Sequence, residues 1–150
     1  MKTIFSFVIM VTFSLSLCAQ ASADSLAIEK AVRDYVEGWQ SGDTERVSGA
    51  VSPELAKRVV MSDSKDHYFI SDMSASLLVF ATLKNKDGIR MPDLTPDEPF
   101  KLYVKILDIS GNVASAKAWN TKYGFLDYCH LARYGESWKI VNVLWDYLPK

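Results

Sequence analysis

The sequence has few of the residues and motifs that announce chemistry directly. There are only two cysteines, Cys18 and Cys129, and if the first leaves with an N-terminal signal the lone one left offers neither a zinc cluster nor a disulfide framework. No HExxH, CxxC, P-loop, GxSxG or GxGxxG pattern occurs, so no metal, nucleotide or dinucleotide cofactor is expected. Seven glycines and five prolines exclude collagen-like and low-complexity chains. Neither sign of charge is in excess: 17 basic against 18 acidic side chains leave a net charge of -1. That balance gives no electrostatic case for nucleic acid or anionic lipid as a partner. What remains is 49% hydrophobic and 23% charged, the make-up of one soluble globular domain.

Part of that apolar content lies in residues 1–23. Lys2 is followed by an apolar run from Ile4 to Leu17 and then by Ala21-Ser22-Ala23. A short basic start, an apolar core and an Ala-x-Ala end describe a secretory signal peptide cleaved before Asp24. The run is shorter than the roughly 20 residues a membrane anchor needs. The expected mature domain is therefore 24–150, in the periplasm or secreted, with no membrane association after cleavage. Cys18 leaves with the signal, so Cys129 stands alone, read as a small buried apolar residue. All four Trp and all seven Tyr lie in 24–150, an aromatic load that suits a large core or a lined pocket.

No internal repeat or linker divides the domain, but its style changes midway. Ile28, Val32, Tyr35, Val36 and Trp39 recur at helical spacing, predicting a helix from Ser25 to about Ser41 that Gly42-Asp43 ends. Asp43 or Thr44 should open a short second helix. Ser52-Pro53-Glu54 looks like a cap followed by proline at the first helical position, predicting a helix over Glu54–Val60. Ser71 or Asp72 should cap another helix carrying Leu77, Leu78, Phe80 and Ala81 and ending at 85–88. Met91 to Pro99 is expected as an extended crossing. After Pro99 the period becomes two, and strands are expected at Leu102–Ile106, Val113–Lys122, Phe125–Tyr134 and Trp138–Tyr147. The class is α+β, with helices on one face of a curved antiparallel sheet of four or more strands.

In the last strand Trp138, Ile140 and Leu144 fall on one parity, and Val141, Val143 and Trp145 on the other. A half-solvated strand alternates apolar with polar. Two apolar faces imply a cover for the outer one, and a homodimer packed sheet to sheet through Val141, Val143 and Trp145 is expected.

Four segments carry a resemblance: Tyr35-Val-Glu-Gly-Trp39 running into Gly42-Asp43; Ser52-Pro-Glu-Leu-Ala-Lys-Arg58; Gly111-Asn-Val-Ala114 with Ala116; and Phe125-Leu-Asp-Tyr128 through Trp138-Lys-Ile-Val141. In these the chain resembles the nuclear transport factor 2-like superfamily and, within it, exported bacterial proteins labelled lumazine-binding. The resemblance implies a cone of curved sheet wrapped on helices. That superfamily holds ketosteroid isomerases, scytalone dehydratase and polyketide cyclases beside non-catalytic binding domains, so fold alone does not decide function.

Tyr35 is placed like the tyrosine with which a ketosteroid isomerase donates to a developing enolate. The favoured reading is a core tyrosine whose hydroxyl finds a partner, on the wall of a cavity. Asp127 lies mid-strand between apolar neighbours, where a carboxylate is costly. It is either an acid or base, or a structural group bonded to a loop or to Arg133. His130 falls on the opposite parity with Tyr128 and Tyr134, which separates it from Asp127. His67 sits in a polar loop. The isomerase base has no counterpart where Val59 and Val60 stand. The expectation is a binding domain whose small apolar or aromatic ligand is held by Tyr35, Trp39, Phe80, Trp119 and Asp127. The alternatives are a cofactor-independent isomerase or dehydratase using Tyr35 and Asp127, or an interaction domain using the outer sheet face.

Overall fold

A computed structural model of the chain describes residues 2–63, 65, 67–86 and 99–148, with side chains from residue 21 onward except residue 86. Helix α1 (Lys2–Ser41) contains the helix expected from Ser25 and extends it toward the N-terminus. Ile28, Val32, Tyr35 and Val36 are buried on one face. The other face carries Glu29, Arg33 and Glu37, with Arg33 bonded to both carboxylates one turn away, the spacing at which helical side chains meet. Gly42, at φ 76°, turns the chain, and the Asp43 carboxylate accepts from the Arg46 amide at 3.0 Å to cap α2 (Thr44–Ala50). Among the described residues no helix is long and apolar enough to cross a membrane.

The helix expected over Glu54–Val60 is a strand, β1 (Val51–Ser62). Ser52 Oγ does accept from the Glu54 amide, at 3.2 Å, but this local turn opens no helix. Pro53 and Glu54 fall in the register break between Val51 and Ala56 where β1 pairs with β6, so proline's missing N–H interrupts no ladder bond. The helix-favouring Leu-Ala-Lys-Arg stretch is overridden by pairing on both sides. Asp63 then accepts from the amides of Lys65 and His67. This closes a hairpin into β2 (Tyr68–Ser74), a strand marked locally only by the β-favouring run Tyr68-Phe69-Ile70. It is Ser74, rather than Ser71 or Asp72, whose hydroxyl accepts from Leu77 N–H to start α3 (Ala75–Lys86). Residues 87–98, which hold most of the expected extended crossing, lie outside the described residues.

The remaining strands follow the predicted meander: β3 (Tyr103–Ser110), β4 (Val113–Asn120), β5 (Phe125–Tyr134) and β6 (Ser137–Tyr147). Among the described residues the sheet has six strands in the order β2-β1-β6-β5-β4-β3, and every neighbouring pair is antiparallel except β1 with β6. This α+β arrangement, helices packed on a curved and unclosed sheet, matches the expected class.

One residue changes the meaning of β6. Leu131 pairs with Ile140 but His130 pairs with Asn142, so Val141 is an extra residue, a β-bulge that flips side-chain parity. Trp138 and Ile140 before the bulge and Val143 after it are all buried on the inner face. Trp145 also turns inward and lines a cavity, while Leu144 is exposed. The dimer surface expected from Val141, Val143 and Trp145 is thus not an outer surface: Val143 is 0% exposed within one chain. The bulge brings Trp138, Ile140, Val143 and Trp145 to one face and leaves Leu144 on the other.

Asp24 ties α1 to the sheet. The Asp24 carboxylate accepts from Trp138 Nε1 at 3.2 Å and pairs with Arg133, whose guanidinium lies 5.0 Å from the Trp138 ring centre. Arg133 therefore partners Asp24, not Asp127.

Candidate functional site

Three elements converge on one polar point inside an otherwise apolar space. Helical spacing turns Tyr35 of α1 toward the sheet. Strand alternation on β5 buries Phe125, Asp127, Cys129 and Leu131 together. On β1, Leu55 and Val59 are buried, and Lys57 shares their parity, so a lysine occupies an inward position. Its ammonium donates to Tyr35 Oη at 2.7 Å and to Asp127 Oδ1 at 2.8 Å. Tyr35 in turn donates to Asp127 Oδ1 at 3.3 Å. The lysine side chain is 12% exposed and the carboxylate 0%.

The aromatic surroundings hold the ammonium in place. It lies 5.0 Å from the ring centre of Trp145 and 5.4 Å from that of Tyr35, within the range of cation–π attraction. Burial, reinforced by the Asp127 charge, raises the Tyr35 hydroxyl well above its ordinary range, so it stays a donor. Burial likewise pushes the Cys129 thiol up, with the Asp127 charge adding to it, so Cys129 is an inert core residue as expected. Asp127 Oδ2 is buried with no hydrogen-bond partner among the described residues.

The space itself has a volume of about 270 Å³. Tyr35, Trp39, Phe125 and Trp145 form its aromatic walls, Met73, Leu78 and Ala81 its aliphatic ones, and Lys57 one polar end. Lys84 and Asn85 of α3 line it too, with the Asn85 amide donating to the Trp39 carbonyl at 2.7 Å. Trp39 is held edge-on by Tyr123 and Phe125 at 5.6 and 5.5 Å.

The structure brings together Tyr35, Trp39 and Asp127 of the residues singled out from sequence. Asp127 sits behind Lys57 and is not itself part of the cavity wall. Phe80 and Trp119 are elsewhere. Phe80 is exposed on α3, with Lys84 above its ring at 4.8 Å. Trp119 follows the buried Ala114, Ala116 and Ala118 with opposite parity, which places it on the outer face, stacked on Tyr103 at 5.3 Å and 12°. Lys57 and Trp145 escape the sequence reading. An unbroken alternation across Leu55, Lys57 and Val59 is the available signal for the first, and the bulge conceals the second. His67 bonds Asp63, and His130 bonds Asn142, both on the surface. Among the described residues no group of three His, Cys, Asp or Glu side chains is placed to hold a metal.

Helices laid on one face of a bent sheet, enclosing an aromatic cavity, define a cone-shaped domain of the nuclear transport factor 2-like superfamily. More narrowly, residues 23–146 match the family described as "Putative lumazine-binding", and the chain belongs to that family. Solved structures agree on the fold. A nuclear transport factor 2-like protein of unknown function from Shewanella baltica shares 20% identity over 85% of this chain and 95% of its own, with a TM-score of 0.60. A similar protein from Silicibacter pomeroyi gives 14% identity, 85% and 98% coverage and a TM-score of 0.62. A ketosteroid isomerase-like protein from Erwinia carotovora atroseptica gives 12%, 83% and 96%, and 0.54. At such identities the likeness concerns fold alone. No functionally curated protein matches the chain.

Proposed function

We propose that this is a small-molecule-binding domain whose ligand is a compact apolar or aromatic molecule with one hydrogen-bond acceptor. The observation that carries this is the cavity of about 270 Å³, walled by aromatic rings and polar at the Lys57 end. That volume lies just below the range of drug-sized pockets, about 300–1,000 Å³, so the ligand is small. The Lys57 ammonium has three N–H groups. Two are used on Tyr35 and Asp127, which leaves the third for an acceptor on the ligand. The family's name supports a small ligand.

Export is part of the same proposal: residues 1–23 act as a cleaved signal, and the protein works in the periplasm or outside the cell. Two observations support a mature chain beginning at Asp24. The family match starts at residue 23, and Asp24 anchors the N-terminal segment to the sheet through Trp138 and Arg133.

Proton-transfer catalysis by Tyr35 and Asp127 fits the geometry less well. It needs both groups at the ligand, whereas Asp127 is engaged by Lys57 and lies behind it. Native mass spectrometry of protein isolated from its own host tests the binding proposal. A retained small molecule, released on unfolding, is the expected result. Protein that retains none, and whose tryptophan emission responds to no apolar aromatic probe at millimolar concentration, would overturn it.

A further inference from the structure

We propose that Lys57 is a reactive amine that captures the ligand covalently, so that the cavity selects apolar aldehydes or ketones and holds them as a protonated imine. This rests on the binding proposal above and names the ligand class. The geometry points to it in three ways. Lys57 is the inward lysine of β1, 12% exposed, at the polar end of an apolar cavity. Its ammonium lies 2.8 Å from a carboxylate that can take its proton. Among the described residues that carboxylate keeps one buried oxygen without a partner, so they satisfy the ion pair incompletely.

A seated ligand removes the last water from Lys57. In a desolvated site, separated charges are costly and a proton shift that cancels both is favoured. The step then balances. The ammonium gives one proton to Asp127, and rotation about Cε–Nζ turns the nitrogen lone pair to the cavity. Nitrogen attacks the carbonyl carbon, a C–N bond forms, and a nitrogen proton passes to the carbonyl oxygen, giving a carbinolamine. Tyr35 Oη, which lines the cavity and is bonded to Asp127, passes its proton to the hydroxyl and takes up the one Asp127 holds, and the hydroxyl leaves as water. The products are a protonated imine, one water and the carboxylate, so the positive charge again faces Asp127. Tyr35 Oη, 2.7 Å from Nζ, holds the nitrogen in place throughout. Desolvated lysines in apolar pockets form such adducts readily, and an apolar lining disfavours retention of the water the condensation releases.

Lys84 supplies an internal control, because it lines the same cavity but is exposed on α3. The test uses the full folded protein with cinnamaldehyde and cyanoborohydride, followed by peptide mapping. Tryptophan quenching by cinnamyl alcohol, which cannot form an imine, is measured in parallel. The expected result is a reduced adduct at Lys57, formed at least tenfold faster than at Lys84 or other surface lysines. Cinnamyl alcohol should suppress the Lys57 adduct and leave those of lysines outside the cavity unchanged, and Lys57→Arg should abolish it. Quenching by the alcohol with no preferential adduct at Lys57 would overturn the covalent proposal while leaving the binding pocket intact. Neither quenching nor adduct would overturn both.

Discussion

Replacing Lys57 by methionine removes a charge without opening much space, and its consequence can be worked from the surroundings. Asp127 is fully buried. Without the ammonium it keeps, among the described residues, the Tyr35 hydroxyl at 3.3 Å, with Oδ2 already unpartnered there. Breaking a buried ion pair from one side costs about 3–5 kcal/mol, because the remaining charge is stranded. For a domain of this size that corresponds to a fall in Tm of roughly 10–20 °C. The deficit should shrink at low pH, where the stranded carboxylate takes up a proton in place of burying a charge. Pairing the change with Asp127→Leu removes both charges, and the double variant should return to within about 1–2 kcal/mol of the parent. Urea denaturation followed by circular dichroism at two pH values measures all three proteins. A Lys57→Met loss under about 1 kcal/mol, the size expected of an exposed pair, would refute the reasoning. So would a double variant whose loss is the sum of the two single ones.

Three further outcomes follow from the same packing. Tyr35 and Cys129 are both raised by burial, so the folded state holds their protons more tightly than the unfolded state does. Their contribution is complete below the unfolded values, about 9–10, and is lost as pH rises above them. Stability measured by urea should therefore fall steeply above about pH 9, and Tyr35→Phe should flatten that fall. Gly38→Ala should cost about 1–2 kcal/mol net, overpacking outweighing the roughly 1 kcal/mol gain in helix propensity, because the added Cβ would lie 3.0 Å from Val47 Cγ2, 3.2 Å from Arg46 Cβ and 3.3 Å from the Asp43 carbonyl oxygen; chemical denaturation measures it. Tyr128 and Leu144 are cross-strand partners and both exposed. If the outer face pairs two copies, Leu144→Asp should convert a dimer to monomer in light scattering, while Trp145→Asp should instead unfold the cavity wall.

The sequence was legible wherever one periodicity ruled. The apolar stripe of α1, the Asp43 cap and the four-strand meander follow directly from spacing and turn residues, and with them Tyr35, Trp39 and the burial of Asp127. It misled where long-range pairing overrode local preference. Ser52-Pro53-Glu54 carries a true helix-start signal, yet β6 and β2 pair with the segment that follows and make it a strand. That single misassignment hid Lys57, since on a helix nothing distinguishes it from Arg58, whereas on a strand it shares a face with Leu55 and Val59. Val141 did the same at the other end of the site. One inserted residue turned Trp145 from a supposed outer-face residue into a cavity wall, and no local pattern marks a bulge of this kind.

If the cavity, and not the surface, holds the ligand, filling the cavity must abolish binding. Ala81→Trp tests this most directly, because residue 81 lines the space and an indole would occupy much of it. The expected result is a folded protein, judged by far-ultraviolet circular dichroism, that no longer retains the small molecule the parent carries in native mass spectrometry. A folded Ala81→Trp variant retaining the same molecule at the same occupancy would contradict it.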